Sequence, residues 1–341
     1  MISFLFISRG SEGSPLAQHL ARRNIVKMFS ANDRIPKIID KVKYLSSWKD
    51  AVESTDVVII TDPLSVDEGV LKEISGSCLV LNGDYIINRL VKNDDFITLC
   101  NQAIGDNSIL IDGLKCKITG IFNGEFLPCF QLVVEDNKFM EKGKGQNVYM
   151  GAVSYFFDKC DLFDKTFIKL VPILKELKFV GIITLEIIVD EAGVRIIGVD
   201  NKLDANNYNL FESIEMPTEL FIYKLLNKES IDELAYKNVA MNIGLSVSPY
   251  PYDFMYDPIN KGDCYHMNDG ALAHFWKELS LKALIGYVTA WGASYEQAKG
   301  RCYRTINRIC TSDDVQYRSD IGFKANKIKQ QLQSQGWLND N

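Results

Sequence analysis

The stretch GKGQNVYMGAVS, residues 143–154, decides how this chain is read. Two glycines bracket Lys144, Asn147 follows, and Gly151 stands between Met150 and Ala152. A strand does not need glycine at that density, because glycine in a strand interior packs nothing and weakens it. The run therefore reads as a segment shaped for a site.

Working outward, 341 residues predict two or three domains. A hydrophobic share of 47% and a charged share of 24% are those of a soluble globular chain with a sizeable core. No apolar run approaches the ~18 residues of a membrane helix, so no membrane partner is expected. The opening MISFLFISRG lacks a basic region and a cleavage-type site, and it reads as a first strand. The eight cysteines stand singly with no C-x-x-C pair, which predicts a reduced, cytoplasmic setting. A net charge of −6 argues against nucleic-acid binding by bulk electrostatics, although a local patch stays compatible with it. Three histidines are too few for a His-rich metal centre.

Residues 1–105 alternate strand and helix, which predicts a doubly wound parallel sheet. Strands are expected at Ser3–Ile7, Ile25–Phe29, Asp56–Ile60 and Cys78–Leu81. Helices are expected at Leu16–Arg22, around Trp48–Val52, at Asp67–Ile74 and within Asp84–Cys100. Gly10 and Gly13, in the turn after the first strand, could present backbone amides to a phosphate. A plain strand-helix turn explains them equally well.

Residues 106–236 predict short strands at Ile109–Asp112, Lys115–Ile121, Phe130–Glu135 and Lys138–Glu141. Turns are expected at Asn123-Gly124 and Asp136-Asn137. A helix over Lys165–Leu177 precedes a hairpin of Phe179–Asp190 and Val194–Asn201. Helices then follow at Pro217–Leu226 and Ser230–Tyr236. Residues 237–341 predict strands at Asn238–Val247 and Ala283–Ala290 and a helix at Ser294–Ile309, with Ser294 as its N-cap. The expected fold is thus α/β and α+β: a doubly wound domain (1–105), a reduced central domain (106–236) and a small α+β domain (237–341).

The run at 143–154 resembles the D-K-G-P-N-T-G-G-M-G-A-Y-S segment of the glycinamide ribonucleotide synthetases (phosphoribosylamine–glycine ligases) of the ATP-grasp superfamily. Near the C-terminus, ALIGYVTAWGASYEQAKGRCYRTINRI is similar to that family's last strand and helix, and Tyr265-His266 to its F-H-A-G-T. The hairpin adds Glu186 in the context G-I-I-T-L-E and Asn201 at the end of V-D-N. The resemblance implies a central ATP-grasp-like domain in which Lys144, Asn147, Gly151, Lys202 and His266 contact substrate. It also implies that Glu186, Asp200 and Asn201 face magnesium. Strand alternation puts the superfamily's second glutamate on Val199, so Asp200 can replace it only through a bulge.

The family's arginine after the hairpin is absent, and its hinge glutamates read Thr119 and Gly120. The stretch between Cys100 and Phe130 is too short for the subdomain that folds over ATP. The resemblance thus implies magnesium as a candidate metal and weak or absent ATP affinity. Three functions follow. One is a divergent ligase joining an amino acid to a nucleotide-like or sugar-phosphate partner. Another is an amino-acid transferase acting without ATP on an activated modified nucleotide or nucleic acid. The last is a non-catalytic binding or assembly subunit.

Overall fold

The computed structural model describes residues 1–8, 13–30, 41–61, 74, 78–81, 94–105, 113–138, 147–201, 203, 205–231, 234–247, 266–267, 271–275, 284–309 and 315–339. The N-terminal part is a five-stranded parallel sheet: β1 (Ser3–Ser8), β2 (Ile25–Ser30), β3 (Val42–Leu45), β4 (Val57–Ile60) and β5 (Leu79–Leu81), in the order β3-β2-β1-β4-β5. The strand order reverses between β1 and β4, as in a doubly wound fold. β1 and β4 are buried along almost their whole length, which is why they read as continuous apolar runs. Helices α1 (Ser14–Leu20, with Pro15 in its first turn) and α2 (Lys49–Val52) belong to this part, whereas α3 (Asp94–Ile104) packs Phe96 and Cys100 beside Cys116, Ile118 and Leu185 and bonds Asn101 to Ile196. The edge strand β3 was not expected, because Val42–Leu45 alternates with only one buried residue. Most of Asp67–Ile74 and the start of Asp84–Cys100 lie outside the described residues.

The rest builds one large sheet in the order β10-β9-β6-β7-β8-β11-β14-β13-β12, with β15 (Val315–Gln316) paired to β11. Its strands are β6 (Leu114–Phe122), β7 (Phe126–Lys138), β8 (Asn147–Asp158), β9 (Gly181–Val189), β10 (Val194–Asp200), β11 (Val239–Val247), β12 (His266–Met267), β13 (Ala271–Phe275) and β14 (Leu284–Gly292). All the pairings among these described strands are antiparallel. The β8–β11 pairing carries this sheet across residue 237. Helices α4 (Asp161–Lys165), α5 (Phe167–Glu176), α6 (Ala205–Ser213), α7 (Thr218–Leu226), α8 (Tyr295–Ile309) and α9 (Phe323–Ser334) complete the described elements. Among the described residues no helix is long and apolar enough to cross a membrane.

The two faces of the large sheet differ. One packs Ile118, Phe130, Leu132, Leu185 and Ile243 against α4, α5, α8 and α9. The other sends Ile121, Leu127, Cys129 and Ile182 toward Phe4 and Phe6 of the parallel sheet and toward α6 and α7.

Several expectations fail for local reasons. Asp136-Asn137 is no turn: β7 runs through it, with a register shift between Asp136 and Lys138. Residues 147–154 are strand, not loop. The helix expected at Lys165–Leu177 is broken at Thr166 (φ −115°), whose hydroxyl donates to Leu162 O at 2.6 Å. Ser230–Tyr236 is not helical where it is described, and Tyr236 bridges Ile214 instead. Helices α6 and α9 were missed, their polar composition giving little periodic signal.

Candidate functional site

The second face of the large sheet carries a row of polar and charged side chains across β10, β9, β6, β7 and β8. Directly opposed residues of antiparallel strands share a face. Lys117 stands opposite Glu186, and Thr119 opposite Thr184. The two threonine hydroxyls lie 2.9 Å apart. Lys115 Nζ sits 2.8 Å from Glu186 Oε1. Lys117 Nζ donates instead to Glu135 Oε1 at 2.6 Å. Glu135, with a side chain only 10% exposed, also accepts from Asn206 Nδ2 at 2.7 Å and Asn137 Nδ2 at 2.9 Å. Three donors on one carboxylate hold it in a single orientation.

Two backbone irregularities aim residues at this row. Between Ile196 and Gly198 the β9–β10 register slips by one residue. Gly198 then pairs with Glu186 and Asp200 with Thr184, while Val199 pairs with Leu185 and joins the apolar core. Without that bulge Val199 would face the row; with it Asp200 does. Diagonal neighbours of this kind lie about 7–8 Å apart. Gly198 also makes room, since a Cβ there would come within 3.1 Å of Glu186 Oε2.

The second irregularity is at Gly151. Met150 and Val153, three residues apart, both enter the apolar core. Tyr149 and Ser154, five apart, both bond to α6. Strict period-2 alternation forbids both relations, so the strand slips a face at Gly151, whose φ is +152°. A Cβ there would meet Asn242 O at 2.5 Å. The slip lets the Tyr149 hydroxyl share its proton between Asn206 Oδ1 (2.9 Å) and Asn242 Oδ1.

Below this lies a buried amide cluster. Gln131 Nε2 donates to Ser154 Oγ (2.8 Å) and Asn206 O (3.0 Å), and Asn209 Nδ2 donates to Ser154 Oγ (3.2 Å). Gln131 Oε1 and Asn209 Oδ1 have no protein partner among the described residues, although both side chains are fully buried. Buried acceptors of that kind hold a water or a ligand N–H.

The residues expected from sequence distribute as follows. Glu186 and Asp200 come to one face. Asn201 is buried at 2% exposure just past the end of β10. Asn147 opens β8 opposite Lys138. Gly13 is buried, and a Cβ there would strike Thr61 Cγ2 at 2.5 Å, so close packing of the α1 entry accounts for it. His266 lies in β12, at the opposite edge of the sheet from β10. Gly10, Lys144 and Lys202 lie outside the described residues. Lys115, Lys117, Glu135, Tyr149, Asn206 and Asn242 were missed. The alternation of polar residues at 115, 117 and 119 with apolar ones between them could have put the two lysines on one face, but not joined them to the other four.

Magnesium keeps several waters and is usually bound through one or two protein carboxylates plus substrate phosphate oxygens. Among the described residues no group of three acidic, His or Cys side chains converges on one point. One Glu186 oxygen is engaged by Lys115, and Asn201 is buried. Glu186 and Asp200 are the two carboxylates on this face that could hold such an ion, with substrate oxygens completing its shell. α3 ends at Ile104 and β6 starts at Leu114, so residues 105–113 connect them.

Comparison with solved structures identifies the fold. Phosphoribosylamine–glycine ligase from Thermotoga maritima superposes with a TM-score of 0.67 at 12% identity, covering 93% of this chain and 100% of that one. N5-carboxyaminoimidazole ribonucleotide synthetase from Thermus thermophilus gives 0.59 at 8% identity, covering 91% and 99%. The corresponding synthetase from Staphylococcus aureus, complexed with ADP, gives 0.55 at 11% identity, covering 90% and 98%. No protein-family model and no curated protein sequence matches. At such identities the likeness is one of fold: a parallel sheet joined to a large antiparallel sheet.

Proposed function

We propose that this chain forms a carbon–nitrogen bond between an amino acid and a nucleotide-like or sugar-phosphate partner, with little or no use of ATP. The observation that carries the reading is the row Asp200, Glu186–Lys115, Lys117–Glu135, Asn206 and Tyr149 on the face that points toward the parallel sheet. An amino acid is a zwitterion, and a surface of alternating carboxylates and ammonium groups complements both of its ends. An attacking amine must lose a proton, and in this proposal a carboxylate of the row takes it. Lys117 and Lys115 offset negative charge that develops on the electrophile or its leaving group. The amide oxygens of Gln131 and Asn209 add acceptors for N–H groups of a base or amide.

The short 105–113 connection favours a version in which the electrophile arrives already activated, as in an amino-acid transferase acting on a modified nucleotide. The test is a thermal-shift screen of amino acids, sugar phosphates and nucleotides, with and without magnesium. A ligand at a hundred times its Kd adds about 2.7 kcal/mol of stability. The shift is expected in the wild type and lost in Glu135→Gln and Lys117→Ala. A shift that survives both changes places the ligand elsewhere.

A further inference from the structure

The chain is acidic overall, yet its charge is unevenly placed. Residues 295–334 hold eight Lys and Arg against four Asp and Glu, whereas the remaining sequence holds 30 against 40. The helices account for most of this. α8 carries Lys299, Arg301, Arg304 and Arg308 with Glu296 its one acid, and α9 carries Lys324, Lys327 and Lys329 with none. Both cover the same face of the large sheet, through Ala298, Cys302 and Ile306 of α8 and Ala325 and Leu332 of α9. They are held together through the segment between them, because Tyr295 OH donates to Ile321 O (2.9 Å) and Tyr303 OH to Arg318 O (2.8 Å).

Some of these cations are used internally. Arg301 stacks 4.7 Å over Trp291 and donates to its carbonyl, and Lys329 lies over the rings of Tyr155 and Phe157. Arg304, Lys324 and Lys327 are exposed. Beside Lys324, Phe323 is 74% exposed at the start of α9. The surrounding α9 positions are amides, Asn326, Gln330, Gln331 and Gln333.

We infer that this two-helix face docks single-stranded nucleic acid. Spaced cations on two helices that cover the same face of the sheet match a phosphodiester backbone. An exposed aromatic ring beside them offers a stacking surface for an unpaired base. Amide side chains serve phosphate oxygens and base edges alike. A helix that lies on a lipid surface would carry an apolar stripe where α9 has amides. The inference is independent of the catalytic reading, because the face lies across the sheet from the polar row.

The test is fluorescence anisotropy of a labelled single-stranded oligothymidylate titrated with the full chain at several salt concentrations, with anionic lipid vesicles as a second probe. Binding is expected, its logarithm falling against log salt with a slope of about −2 for three phosphate contacts. The triple variant Arg304→Glu/Lys324→Glu/Lys327→Glu is expected to bind at least about tenfold more weakly. Phe323→Ala should weaken binding about tenfold without changing the slope. Lys41→Glu/Lys43→Glu, exposed on the parallel domain, should leave binding unchanged. No binding, equal binding by the triple variant, or binding to vesicles in place of the oligonucleotide overturns the inference.

Discussion

Gly198 shows how a single residue governs the candidate site. Its missing Cβ leaves the space in which the Glu186 carboxylate lies, at 3.1 Å from where that atom would be. Gly198→Ala should therefore push Glu186 off Lys115 and weaken ligand binding by about tenfold, while stability changes by less than about 1 kcal/mol. Ligand titration paired with denaturant unfolding separates the two effects. Asp136 gives a second test, on the opposite face. Its carboxylate accepts from Gly322 N at 2.9 Å at the entry to α9, and Arg318 lies 3.6 Å away. Burial nonetheless pushes its pKa above 3.8, outweighing the Gly322 bond and the Arg318 charge. The folded state then binds a proton more readily than the unfolded chain. Stability from this group is present at low pH and falls as pH rises from about 4 through the raised value. Compared with Asp136→Asn, the wild type should lose stability across that window and run parallel above it, as read by chemical denaturation at successive pH values.

Among elements, the helix and strand ends show what a sequence reveals and what it hides. Ser294 was legible as an N-cap: its hydroxyl accepts from Gln297 N at 3.2 Å, and Gln297 Oε1 accepts from Ala293 N at 2.7 Å. Ser294→Ala should destabilise by about 1 kcal/mol, lowering Tm by a few degrees. The β9–β10 hairpin was legible too, because alternation and the turn residues agree. Its bulge was foreseen only as a condition for Asp200, although the apolar positions 194, 196, 197 and 199 change phase where the slip occurs. The face change at Gly151 was hidden: the glycines of that run suggested a loop, whereas the one at 151 serves a close approach of β8 to β11. The row of Lys117, Glu135 and Asn206 was invisible because it joins three elements far apart in sequence, and only the sheet order makes them neighbours.

At the scale of the whole molecule, a parallel sheet and a large antiparallel sheet meet across an apolar contact, and the polar row lies on the same face beside that contact. The fold class was readable from strand-helix alternation followed by short strands. The function is less so, because it depends on side chains that the sheet order brings together. The face carries fixed carboxylates, ammonium groups and buried amide oxygens. The proposed reaction binds its substrates on this face without ATP-driven activation. Calorimetric titration of the full chain with ATP and magnesium is the decisive measurement. No saturable heat is expected at micromolar ATP, and a micromolar Kd for ATP would overturn the proposal.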